Sequence, residues 1–190
     1  KEESIWDGYP EETNAPYGLA KKMLLVQSQA YRQQYNFQSI MVIPTNLYGP
    51  NDNFDDKSSH VIPALIKKIY QAKKENLKNI SVWGDGSPTR DFLYVDDAAN
   101  GIILAAEKYN SSLPINLGSG IEISIKELVM KIIHLMDVDV DIVWDIEKPN
   151  GQPRRCISIE RARKEIRFEP KIDLDDGLKQ TIDWYVSNLS

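Results

Sequence analysis

Short apolar runs alternate with longer stretches of helical periodicity along almost the whole chain. That alternation limits the possible folds more than any other feature of the sequence. Residues 39–43, 80–83, 92–95, 115–118 and 140–144 are each short enough for a strand, and most are bounded by Gly, Pro, Asn or Asp. Between them, apolar residues recur at helical spacing over about 16–35, 61–75, 96–107, 125–136, 159–166 and 174–189. Pro16 suits the first turn of a helix, and Ser124 with Glu127 three residues on forms a capping box. Strand and helix in turn predict α/β architecture with at least part of a parallel sheet. Residues 39–43, ending in Pro44, read as a buried strand. Residues 4–16, 46–56 and 148–153 read as loops.

Composition excludes several classes. With 42% hydrophobic residues and a net charge of −5 over 190 residues, this is a folded chain and not a disordered one. The acidic balance argues against a nucleic-acid partner. No apolar run approaches the ~18 residues that cross a bilayer, so no membrane span is expected. The single Cys156 excludes an intrachain disulfide. A free thiol and no signal segment point to a cytoplasmic setting. The opening Lys1-Glu2-Glu3-Ser4, without Met, is expected to be a cut from something longer.

Three segments carry chemistry. In Tyr17-Gly18-Leu19-Ala20-Lys21 a phenol and an ammonium fall four positions apart, on one helix face. A cation beside a phenol favours the phenolate, which suits proton transfer at a sugar carbonyl or hydroxyl. Taken alone, the pair also fits an ordinary amphipathic surface. Pro44-Thr45-Asn46-Leu47-Tyr48-Gly49-Pro50 follows a strand, where ligands of open α/β sheets sit. The third segment runs from Trp83 through the turn Gly84-Asp85-Gly86 to Arg90-Asp91-Phe92. Arg90 there could grip a diphosphate, or form a surface pair with Asp91.

In this order the three segments resemble the extended short-chain dehydrogenase/reductase family, which acts on nucleotide sugars. The resemblance implies the C-terminal part of a Rossmann-type parallel-sheet domain plus a smaller α/β substrate lobe. Residues 1–55 and 91–118 would form the first, and 56–90 and 119–190 the second. Finer matches at 44–54, 59–65 and 148–154 resemble the branch that epimerises C3 and C5 of GDP-4-keto-6-deoxy-D-mannose and reduces C4 with NADPH. On that resemblance Tyr17 is the acid for the 4-keto oxygen, Lys21 holds the nicotinamide ribose, and His60 is the acid of epimerisation. Pro44, Asn46 and Leu47, with Tyr17, Lys21 and His60, would line the NADP(H) end. Lys68, Trp83, Arg90, Asn150 and Arg155 would hold the GDP-sugar, and the 148–155 loop would close over it. Asn150, Arg155 and Lys68 depart from the family pattern, which has Asp, Lys and Arg there. A homodimer through the helix bearing Tyr17 is also implied.

The family's glycine-rich phosphate loop does not occur in these 190 residues, nor do its Ser/Thr and epimerising Cys. Cys156 reads as a packed free thiol and His134 as structural or exposed. The chain by itself is therefore expected neither to bind NADPH with normal affinity nor to turn over. Two further readings stand beside the first. One is an NAD-dependent nucleotide-sugar 4-epimerase or 4,6-dehydratase. The other is a non-catalytic nucleotide-sugar-binding fragment.

Overall fold

Parallel strand pairing organises the chain, as the alternation predicts. The computed structural model describes residues 1–188, the Thr13 side chain excepted; Leu189, where the periodicity of the last helix runs out, lies outside them. The elements in order are α1 (Ala15–Tyr35), β1 (Val42–Pro44), β2 (Asn46–Tyr48), α2 (Val61–Glu75), β3 (Asn79–Trp83), β4 (Thr89–Tyr94) and α3 (Val95–Lys108). They continue with β5 (Ile115–Leu117), β6 (Glu122–Ser124), α4 (Ile125–Met136), β7 (Asp141–Asp145), β8 (Arg154–Arg155), α5 (Glu160–Ile166) and α6 (Leu174–Asn188).

Three of the four parallel pairings are β1 with β5 (Val42 opposite Ile115), β2 with β4 (Asn46 opposite Phe92) and β3 with β7 (Asn79 opposite Asp141). β6 joins β4 antiparallel, and β8 joins it parallel.

Several segments differ from the sequence expectation. The opening loop contains two 3-10 turns, Glu2–Trp6 and Glu12–Asn14. The first is anchored because the buried Glu2 carboxylate accepts the backbone N–H of Asn116 on β5. The expected buried strand at 39–43 is a half-buried three-residue β1, which among the described residues pairs with the equally short β5 alone. The expected loop at 46–56 begins with a strand. Thr45 N–H bonds Leu117 O at 2.8 Å, its hydroxyl bonds Asp91 O at 3.0 Å, and the backbone then changes partner to β4.

Two clusters of buried side chains lie on either side of β4. Phe92 and Tyr94 point into the larger, with Ile62, Ile66 and Ile69 of α2, Leu128 and Ile132 of α4, and Leu178 of α6. Leu93 points into the smaller, with Ala98 and Ala105 of α3, Ile115 and Leu117 of β5, and Ala162, Ile166 and Phe168. The strand period of two makes this division. The chain thus returns at α5 to the cluster around β5 before α6 completes the other.

Candidate active site

Pro16 occupies the first turn of α1, and the next residues bring Tyr17 and Lys21 to one face. Lys21 Nζ stands 5.3 Å from the centroid of the Tyr17 ring, a cation over a phenol face. Tyr17 is 68% exposed. The bare Gly18 allows Pro10 to pack against α1 there: an added Cβ would come within 3.0 Å of the proline Cβ.

Pro44, the last residue of β1, and Leu47 of β2 are exposed, and Asn46 is half-buried. Asn46 Nδ2 donates to Asp91 O at 2.8 Å, which fixes its amide against β4. His60 is the N-cap of α2; its carbonyl accepts the N–H of Ala64 at 3.0 Å and its residue is exposed. The preceding loop is ordered by Asp55, whose carboxylate accepts the N–H of Lys57 and both the N–H and hydroxyl of Ser58. Those bonds, that from Lys57 first, hold the Asp55 carboxyl below its ordinary range.

A basic group gathers between β4 and the 148–155 loop. Arg90 Nη1 donates to Thr89 O and Gln152 O, each at 2.7 Å, and Arg155 Nε reaches Gln152 Oε1 at 3.2 Å. Burial first, and the charge of Arg155 second, push the Arg90 guanidinium below its ordinary value. Two like charges meeting in this way favour an anion between them. Trp83 is 65% exposed, with Lys148 Nζ 5.8 Å from its ring centroid. Lys68 Nζ donates to Ser81 O at 2.6 Å, two residues before Trp83. The Asn150 side-chain oxygen accepts the N–H of Asp85 at 2.9 Å.

Residues 1–118 match the model of the NAD dependent epimerase/dehydratase family. The chain belongs to that family. It is 43% identical over 190 residues to a GDP-L-fucose synthase of Sinorhizobium fredii, covering 100% of this chain and 60% of that protein. It is 42% identical over 188 residues to a probable GDP-L-fucose synthase 1 of Oryza sativa, covering 99% of this chain and 57% of that protein. Among solved structures, a GDP-L-fucose synthetase from Naegleria fowleri bound to NADP matches with a TM-score of 0.90 at 30% identity, covering 99% of this chain and 60% of that one. The chain therefore spans about three-fifths of the length of these relatives.

Two groups of sequence-derived residues thus come together: Tyr17 with Lys21, and Arg90 with Arg155. Asn46 is tied to the second group through Asp91. The possible Arg90–Asp91 surface pair does not form. The two side chains point to opposite faces of β4, and Asp91 is fully buried. Its Oδ1 instead accepts the N–H of Ser119 at 3.0 Å and the hydroxyl at 2.6 Å. Sequence reasoning missed this hub. An acid next to a four-residue apolar run was the available signal, but the partner lies 28 residues away. Cys156 is half-buried, and burial first raises its thiol, followed by the charges of Asp91 and Glu122. His134 is exposed on α4.

Proposed function

We propose that this chain serves a GDP-L-fucose synthase reaction: 3,5-epimerisation and NADPH-dependent 4-reduction of GDP-4-keto-6-deoxy-D-mannose. The observation that carries it is the Lys21 ammonium over the Tyr17 ring on an open helix face. The names of the relatives support the choice of substrate.

The donor set suits the ribose–nicotinamide end of the dinucleotide. A phenol hydroxyl and an ammonium match sugar hydroxyls, and the exposed Pro44 and Leu47 offer apolar surface to a flat ring. When bound, the nicotinamide supplies the hydride. Tyr17 gives its proton to the 4-keto oxygen, and Lys21 holds ribose and steadies the phenol. A 4-keto group acidifies the protons at C3 and C5, so a base supplied from outside these residues would take each proton and His60 would return one from the opposite face, before reduction. Trp83, Arg90, Arg155 and Lys68 hold the GDP, with two guanidiniums for the diphosphate. Residues 1–55 and 91–118 would form the dinucleotide side, and 56–90 and 119–190 the nucleotide-sugar side, with α5 packed back on the former. A homodimer through α1 fits the exposed Leu19, Met23 and Val26 along it.

The test is a chimera that joins this chain to the part of the Sinorhizobium fredii relative that it does not match. Net NADPH oxidation with the GDP-keto-sugar is expected. Tyr17→Phe should lower turnover by roughly 10²–10⁴-fold, the worth of a positioned acid. Turnover without net NADPH consumption would point instead to an epimerase or dehydratase that recycles its cofactor. The 190-residue chain alone should show neither tight NADPH binding nor turnover, because it contains no glycine-rich phosphate cradle.

A further inference from the structure

β3 and β7 run side by side and end together, with Trp83 opposite Asp145. The chain leaves both strands at the same place. Asp145 O accepts the N–H of Gly84 at 2.9 Å and that of Lys148 at 3.1 Å, so the 84–86 turn and the following loop start from one carbonyl. Gly84 and Gly86 both have positive φ, +79° and +77°. Their missing side chains leave room for two particular neighbours. A Cβ on Gly84 would collide with the side-chain oxygen of Asn150, and one on Gly86 with the Trp144 ring.

Into the first gap Asn150 places its oxygen, 2.9 Å from the N–H of Asp85. The Asp85 carboxylate is held by Ser87, through its hydroxyl at 2.7 Å and its N–H at 2.9 Å. Those bonds hold it below the ordinary carboxylate range, and the side-chain amide of Asn150 adds to the effect. Asn150 thus accepts from the backbone of Asp85, and its amide also favours the charged form of the Asp85 carboxylate. A carboxamide carries both an acceptor and a donor, which a carboxylate does not. Further along, Gln152 O is taken by Arg90, Gln152 Oε1 by Arg155, and Pro153 O by the N–H of Thr89 at 2.9 Å.

We infer that Asn150 is a positioning residue, whose amide latches the 148–153 loop to Asp85 and so sets the loop against Arg90 and Arg155 before a nucleotide arrives. The consequence for GDP rests on the proposed function; the latch does not. An aspartate at position 150 would keep the bond to the N–H but set a second negative charge beside Asp85. Exchanging the two residue types would restore the pair with donor and acceptor reversed, while the oxygen at position 85 remains available to Ser87.

The experiment uses the full chain with Asn150→Ala, Asn150→Asp, Asp85→Asn and the double exchange D85N/N150D. Hydrogen exchange at the amide of residue 85 and across 148–153 is read without ligand. Asn150→Ala should accelerate it about five- to tenfold, the worth of one or two net hydrogen bonds. Asn150→Asp should fall between, and the double exchange should return to within about threefold of the parent. GDP titration should follow the same order. Unchanged exchange in Asn150→Ala would overturn the latch. So would a double exchange that fails to restore GDP binding lost in Asn150→Asp, because residue 150 would then touch the nucleotide itself. If the parent binds no GDP, the functional reading fails, and hydrogen exchange still decides the latch.

Discussion

Asp91 uses its backbone and its side chain for different tasks. Its carbonyl holds Thr45 and Asn46, while its carboxylate holds Ser119 from a fully buried position. Burial raises the carboxyl above its ordinary value, and the bonds from Ser119 only partly offset that. In the folded state the group therefore keeps its proton to higher pH than in the unfolded chain. Its contribution is most favourable below the unfolded value of about 4 and is lost as pH rises through the folded one. Asp91→Asn removes this titration, so the variant should gain stability relative to the parent as pH rises across that window. Urea denaturation at a series of pH values measures it, and a pH-independent difference would show no such shift. Asp55, Asp85, Glu122 and Glu127 have the opposite sign. Bonds from Lys57, Ser87, Arg154 and Ser124 respectively lead in lowering them. Their contributions are present near neutral pH and fade as pH falls through the folded values. Tyr17 and Lys21 were legible in the sequence because a helix fixes what four positions mean. Asp91 was not, because its environment is assembled from Ser119 and the segment beyond β8.

Helices could be read where period and caps agreed. α4 is the clearest: Ser124 Oγ accepts the N–H of Glu127 at 3.1 Å, and the Glu127 carboxylate accepts the N–H of Ser124 at 3.0 Å. Behind that cap, Leu128, Val129 and Ile132 are fully buried. Ser124→Ala should therefore cost about 1 kcal/mol in chemical denaturation. Ser124→Thr, which keeps a hydroxyl that accepts from the N–H of Glu127 and donates to its carboxylate, should recover a large part of it. Equal loss in both variants would place the effect in the packing of β6. The strands were less legible. β6 and β8 contain Glu122-Ile123-Ser124 and Arg154-Arg155, with no apolar alternation that a strand reading could use. They are strands because β4 offers each a ladder on one of its edges, and Arg154 of β8 then pairs with Glu122 of β6 across β4 through two nitrogens. β2 was hidden for a related reason. Asn, Gly and Pro at 46–50 signal a turn, yet parallel pairing with β4 holds the first three residues extended.

At the scale of the whole molecule, β4 joins the two buried clusters and carries both Arg90 and the carbonyl that fixes Asn46. The strand that separates the clusters is thus also the one that sets Asn46 relative to Arg90, the cofactor and diphosphate ends of the proposed site. Local sequence patterns showed the alternating elements, but not that one six-residue strand would serve both sides, since its ladder partners β2, β6 and β8 come from distant parts of the chain. If both clusters depend on β4, disruption of one should be felt in the other. Phe168 is fully buried in the smaller cluster, where it meets Gly101 of α3. Phe168→Ala should cost about 3–5 kcal/mol, as large aromatic truncations do in a close-packed core. Trp144 and Trp184 pack against the larger cluster, whereas Trp6 and Trp83 are already exposed, 51% and 65%. Tryptophan fluorescence therefore reports mainly on the cluster that Phe168 does not enter. A single cooperative unit requires the fluorescence and circular dichroism transitions to shift together in Phe168→Ala. Two independent units would leave the fluorescence midpoint where it was, and β4 would then be a boundary between them and not a shared support.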